Sequence, residues 1–336
     1  MARICLVPKV HGVGGMVSFQ AKLTAGLTRG GVDVCTDLHD PAYAAVLLTG
    51  GTSDLAGLLH ARRRGVPIVQ RLDGINWIHR RRSTGLRHFL RAEYGRWLLA
   101  FIRRNIATRI VYQSEFSRDW WQDWHGGSPL PDTVIHNGVD LNVYTPAGPH
   151  ERPDDRFRLL LVEGSMGGGY ELGLETAFRL ADLLAGKFPL EVAIAGRVDP
   201  GVQSAYGERS RVPVRWLGLV PGEQIPALDR SAHLLYSADI HPACPNAVIE
   251  ALACGLPVVA FDTGALAELV TGDAGRLVPY GSDPWKLEPP DVPALAAAAA
   301  EIIAGQDRFR PAARAHAEAA FGLDRMVAAY LEVLLE

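Results

Sequence analysis

A chain of 336 residues is longer than one core usually supports, so two domains of about 150 residues each are expected. With 48% apolar and 21% charged residues the composition is that of a soluble globular protein, and no apolar run of eighteen residues exists to span a membrane. The net charge of −3 hides an asymmetry: residues 1–150 hold 18 Lys and Arg against 11 Asp and Glu, residues 151–336 hold 16 against 26, and the basic half is the one suited to an anionic partner.

The chain opens with a short apolar run, Ile4–Val7, which reads as a strand and is too short for a signal-peptide core. Further strands are expected at Val32–Cys35, Ala45–Leu48, Ile68–Arg71, Ile110–Tyr112 and Thr133–Ile135, with helices at Gly15–Arg29, Asp54–Arg64, Leu86–Asn105 and Ser114–Trp124. Strands alternating with helices of that length imply βαβ units and a parallel sheet. Three prolines and a run of charges at 144–158 read as a linker. Alternation resumes with strands at Leu159–Val162, Glu191–Ala195, Val214–Leu217, His233–Tyr236, Val258–Phe261 and Gly275–Val278. Helices fall at Leu172–Leu184, Gly222–Arg230, Ala247–Ala253 and Ala265–Val270, and the tail is helical over Val292–Ala304, Ala312–Ala320 and Leu323–Leu335. The four cysteines, Cys5, Cys35, Cys244 and Cys254, show no metal-ligand spacing and read as reduced thiols of a cytoplasmic protein.

Two stretches carry chemistry. The first, HGVGGMVSFQAKLTAGL, places Gly12, Gly14 and Gly15 between the first strand and a helix. Backbone amides there can approach an anion at the helix N-terminus, although a tight turn needs the same glycines. The spacing is not that of a dinucleotide fingerprint. The second runs from Ser237 to Glu268. A strand ends at Tyr236, an irregular loop follows, and a helix begins near Ala247 with Asn246 as its expected N-cap. Glu250 is read into the first turn of that helix, where it would suit the dipole. The strand Val258–Phe261 then enters a second turn, Asp262-Thr263-Gly264-Ala265, so two adjacent strand ends offer donors to one crevice.

These residues resemble the family 4 glycosyltransferases. The matching pieces are Ile249–Val270 (IEALACGLPVVAFDTGALAELV), His136–Pro146 (HNGVDLNVYTP), Val111–Trp121 (VYQSEFSRDWW) and Val214–Ala238, and together with the early GVGG they cover most of the chain in the family's order. The resemblance implies the GT-B fold: two facing Rossmann-like α/β domains with parallel sheets and an interdomain cleft. Residues 1–148 would form the acceptor-side domain and 149–320 the donor domain, with 321–336 a helix packing back on the first. It implies transfer of a sugar from a nucleotide-sugar to a hydroxyl acceptor, with retention and without a metal or other cofactor; no D-x-D occurs in the sequence. It further implies that Glu250 holds the nucleotide ribose, and that the loop of Cys244, Pro245, Asn246, Ala247 and Val248 meets donor phosphate and sugar through its backbone amides. Gly14 and Gly15 would close over the phosphates.

Three positions depart from the family. Pro242 stands where a sugar-gripping Glu is usual, leaving Asp239 or His241 to replace it. In VEGSMGGGYELGLETA no Lys or Arg lies between Gly164 and Phe178, where the family neutralises the leaving diphosphate. Backbone donors at Gly164, Ser165 and the glycines 167–169 remain, and Arg197 at the next strand end, or an arginine of the first half, would have to supply the charge. Asp73, in IVQRLDGIN, takes the place of a His near the reacting carbon and is the candidate catalytic group, with Arg71 on the same strand face.

Residues 79–109 contain nine arginines and one glutamate interleaved with Phe89, Tyr94, Trp97 and leucines. Such a helix suits peripheral contact with the inner face of a membrane, or else packs on a core with solvated arginines; no nucleic-acid module accompanies it. Two other functions compete with transfer: a sugar-nucleotide-binding protein that has lost catalysis, and a GT-B nucleotide-sugar epimerase. Nucleotide base, sugar and acceptor leave no signature.

Overall fold

The computed structural model describes residues 2–12, 14–166 and 171–336. The chain forms two compact units, Met1–Gly138 with Leu323–Glu336, and Val139–Gly322.

The first unit is built from β1 (Arg3–Val7), α1 (Gly15–Arg29), β2 (Asp33–Cys35), β3 (Ala45–Thr49), α2 (Leu55–Arg63), β4 (Ile68–Leu72), α3 (Leu86–Asn105), β5 (Arg109–Tyr112), α4 (Glu115–His125) and β6 (Asp132–Val134). Its six strands are all parallel in the order β2-β1-β3-β4-β5-β6. β3 and β4 are buried along their whole length, as strands covered on both faces are; β3 accordingly reads as an apolar run, whereas β4 buries Gln70 and Arg71 within it.

The second unit holds β7 (Phe157–Ser165), α5 (Glu171–Ala185), β8 (Leu190–Arg197), α6 (Pro200–Arg209), β9 (Val214–Gly218), α7 (Ile225–Arg230), β10 (Leu234–Tyr236), α8 (Asn246–Ala253), β11 (Val258–Phe261), α9 (Leu266–Leu269), β12 (Gly275–Val278), α10 (Val292–Ala304) and α11 (Gln306–Ala320). Its parallel sheet runs β12-β11-β10-β7-β8-β9. The chain then returns to the first unit as α12 (Leu323–Leu335). This helix lies against α1 so closely that a Cβ on Gly26 would stand 2.4 Å from Val327 Cγ2, and Phe19 and Tyr330 pack ring to ring beside it.

Three sequence expectations shift. The border between units falls after Gly138, not within 144–158. Val139 donates its N–H to Phe321 O and bridges to Gly322, while Arg230 donates to Thr145 O and Pro149 O, so the proline-rich stretch is fastened to the second unit. α6 is a helix that apolar periodicity could not show, because it has no buried residue. It forms because Asp199 accepts the N–H of Gly201 and Pro200 occupies the first turn. α11 begins at Gln306, six residues before the expected start, despite Pro311. Its first turn is held from outside by fully buried Phe309 and by Gln306 Nε2 on His233 O, which outweighs the missing N–H.

Candidate functional site

In the second sheet the chain reverses its winding between β7 and β10. An open parallel sheet forms a crevice beyond the carboxyl ends of the two strands at such a point. Glu163, Gly164, Ser165 and Met166 from the end of β7 and Ala238 and Asp239 from beyond β10 line a cavity of about 210 Å³ there. Glycine makes the close approach. A Cβ on Gly196, at φ 145°, would lie 2.2 Å from Glu163 O, and one on Gly173 of α5 would lie 2.6 Å from Ala238 O. β7 also slips its register against β8 between Val162 and Ser165, which turns the strand end toward the cavity.

The charge here is carried by two acids. Burial, then the neighbouring charge of Asp239, push Glu163 up to about 8, and burial raises Asp239 as well, opposed by hydrogen bonds from the amides of His241 and Ile240. Both carboxyl groups therefore resist ionising together. The nearest strand-end cation is Arg197, exposed at the end of β8 and paired by its backbone with Ser165. The glycines 167–169 lie outside the described residues.

Pro242 has a structural task. Its carbonyl accepts the N–H of Ala265 at 2.8 Å, and it packs on Gly264, whose φ of 59° and missing Cβ the contact requires. The loop after β10 and the turn after β11 are thereby joined. His241, beyond Asp239, is buried and stacks on Trp285 with ring centroids 3.7 Å apart; burial pushes it down to about 4, so it is neutral near pH 7.

α8 starts one residue earlier than expected. Pro245 occupies the cap position and Asn246 is the first helical residue, with no side-chain cap. Pro245 O accepts the N–H of Val248, whose side chain is fully buried, so Val248 serves the helix start and not an opening. Cys244 is buried beside it. Glu250 is consequently the fifth helical residue, past the first turn, and stabilisation of the helix dipole does not account for it. It is 7% exposed and holds the hydroxyl of Tyr144; burial first, and then the charge of Glu250, raise that phenol.

The strand ends of the first unit differ in kind. Gln20 on α1 donates to Pro8 O and Thr49 Oγ1 and accepts from Val10 N–H, tying β1, β3 and α1 together where that sheet changes winding. Gly14, at φ 134°, is the cap of α1 and Gly15 its first residue; a Cβ on Gly14 would meet nothing, so the backbone angle alone demands glycine. Arg71 is 1% exposed, lies over the ring of Phe19 at 3.7 Å, and donates to Asn137 Oδ1 at 3.0 Å. Its Nη1 stands 3.8 Å from the carboxylate of Asp73, which is partly exposed, and the Trp121 indole pins the Asp73 carbonyl at 2.7 Å.

Of the residues proposed from the sequence, Gly164, Ser165 and Asp239 share one cavity, and Asn246, Ala247 and Glu250 share helix α8. Arg197 sits at the adjoining strand end, and Gly14, Gly15 and Asp73 belong to the first unit. Glu163, Gly173 and Tyr144 were not singled out, although all three lie within the motifs quoted. Among the described residues no group of three or more His, Cys, Asp or Glu is placed to hold a metal ion.

Residues 158–305, the segment that contains the crevice, match the family described as Glycosyl transferases group 1. No curated protein matches the chain. Among solved structures, sucrose-phosphate synthase from Thermosynechococcus elongatus superposes with a TM-score of 0.75 at 17% identity over 99% of this chain and 98% of that one. Anabaena HepE, solved in complex with UDP-glucose, gives 0.70 at 18% over 99% of each chain. WaaG, a glycosyltransferase involved in lipopolysaccharide biosynthesis, gives 0.68 at 14%, again over 99% of each. The shared fold is GT-B.

Proposed function

We propose that this glycosyltransferase, a GT-B chain whose residues 158–305 match the group 1 family, moves a sugar from a nucleotide-sugar donor to a hydroxyl acceptor. The observation that carries the reading is the coincidence of that segment with a crevice at the winding reversal of its sheet. A UDP-sugar is the donor to test first, because HepE of the same fold was solved with UDP-glucose. Glu250 accepts hydrogen bonds from the ribose, and the start of α8 at 244–247 faces the phosphates. Below about pH 8 a protonated Glu163 spares the leaving diphosphate a second negative neighbour, and Arg197 supplies the positive charge. Asp73, held near the Arg71 guanidinium, orients the acceptor hydroxyl and takes its proton, with overall retention and no metal. The acceptor is a glycan, a glycolipid or a small molecule.

A second reading is favoured by one observation: among the described residues two carboxyl groups, and no cation, line the cavity where a diphosphate would leave. Such a protein would bind nucleotide-sugars without turning them over. The test is a thermal-shift panel of UDP-, GDP-, ADP- and dTDP-sugars, followed by nucleotide release from the best binder with and without a lipid or glycan extract. Stabilisation with release supports transfer, stabilisation without release supports the binding protein, and no stabilisation by any nucleotide contradicts both.

A further inference from the structure

α3 carries apolar side chains along its whole length, and the protein covers only those of one half. Leu98 and Ile102 are buried against the first unit, and the same half of the helix is anchored by Arg103 on Tyr112 and by Gln70 on the Leu99 carbonyl. The preceding turns carry Leu86, Leu90, Tyr94 and Trp97, exposed by 75, 58, 60 and 58%. Steps of four, four and three residues bring these side chains onto one helical face. Phe89 is exposed beside them, and Trp97 stacks on Phe101 along the same face. Half of the ten large apolar side chains exposed among the described residues therefore fall within twelve residues of one helix. Isolated exposed leucines need no explanation, but a continuous stripe does.

The surroundings specify what covers it. Arg81, Arg87, Arg91 and Arg104 are exposed around the stripe. The single acid of the segment, Glu93, is spent on Arg80, Arg96 and His79, and the Arg80 hydrogen bond leads in holding its carboxyl far below the usual range. The face is thus apolar with an unneutralised basic rim. A second copy of the chain is a poor partner, since a two-fold contact would bring two arginine sets together. A surface that offers apolar depth under a layer of negative charge matches both features.

We infer that the exposed face of α3 docks on an anionic lipid surface, with Leu86, Leu90, Tyr94 and Trp97 entering the acyl boundary and the arginines meeting phosphate headgroups. The same Glu93 contacts that neutralise the acid fasten the helix to the turn at Ile78–Arg80, so the stripe is presented preformed. The inference does not depend on the identity of the sugar donor.

The test is co-sedimentation of the full chain with vesicles of phosphatidylcholine alone and of equal parts phosphatidylcholine and phosphatidylglycerol. The expected result is binding to the mixed vesicles only, weakened at least tenfold by L86S/L90S/Y94S/W97S and severalfold by R87Q/R91Q. Because the four stripe residues are exposed, the quadruple variant should keep the wild-type circular dichroism and melting temperature, which separates loss of docking from loss of fold. Equal binding to both vesicle types, no binding to either, or unchanged binding by the quadruple variant would overturn the inference. So would a concentration-dependent dimer in sedimentation velocity that the same variant abolishes.

Discussion

The carboxyl ends of the two sheets are built by the same topological rule and carry opposite charge. In the first unit Arg71 is buried at the end of β4, clamped by Phe19 and Asn137, with Asp73 beside it. In the second, Glu163 and Asp239 share a cavity and neither ionises easily. Winding order fixes where a ligand is received, whereas the side chains at the strand ends fix what is received. A pair of crowded carboxyl groups sheds one charge.

The comparison can be broken at either end, and the largest effect is expected in the first unit. Asp73→Asn should lower kcat by about 10²- to 10⁴-fold while leaving donor affinity within twofold, because the proton acceptor is lost and the second unit is untouched. A loss confined to KM for the donor would remove Asp73 from the catalytic role. Next is Gly196→Ala, which forces a Cβ against Glu163 O at a φ of 145° and should cost about 3 kcal/mol, read as a lower urea midpoint. Wild-type stability in that variant would mean the strand ends are not as close as described.

Acid should loosen the second unit. His233, whose Nδ1 accepts the Arg158 N–H, and His241 are both pushed down to about 4, chiefly by burial. The unfolded chain binds protons near pH 6.5 and the folded one only near 4, so their contribution is complete above about 6.5 and is lost as pH falls through that window. The limit is of the order of 3 kcal/mol for each, and His233→Gln should flatten part of the slope. The smallest effect sharpens the carboxyl pair. Affinity for UDP should fall by about tenfold or less as pH rises through about 8 and Glu163 ionises, and Glu163→Gln should remove that dependence. A pH-independent affinity in the wild type would place Glu163 away from the diphosphate.

Much of this fold was legible in the sequence because parallel strands and their helices leave plain apolar runs. α1, α3, α10, α12, β11 and β12 match the expected bounds, and the other shared elements differ by a few residues. What escaped was set by contacts rather than by local pattern. α6 has no buried face to generate a period, although Asp199-Pro200 was a readable start signal. α11 runs past a proline because Phe309 is buried. At the site, Pro242 read as a missing carboxylate, and only its contact with Gly264 and Ala265 shows what it does. Glu163 lay just past the expected strand end at Val162 and gains its character only from Asp239 beyond β10, and the Tyr144–Glu250 hydrogen bond joins two motifs about a hundred residues apart.

The central claim is that the second unit receives the nucleotide through Glu250. Titration calorimetry of UDP and a UDP-sugar against the wild type, Glu250→Ala and Tyr144→Phe tests it directly. The account predicts saturable binding that Glu250→Ala weakens by about tenfold or more, roughly 1.4 kcal/mol, and that Tyr144→Phe leaves within threefold. Equal affinity for wild type and Glu250→Ala would contradict it, as would a Tyr144→Phe loss as large as that of Glu250→Ala, which would make Glu250 a tether for Tyr144.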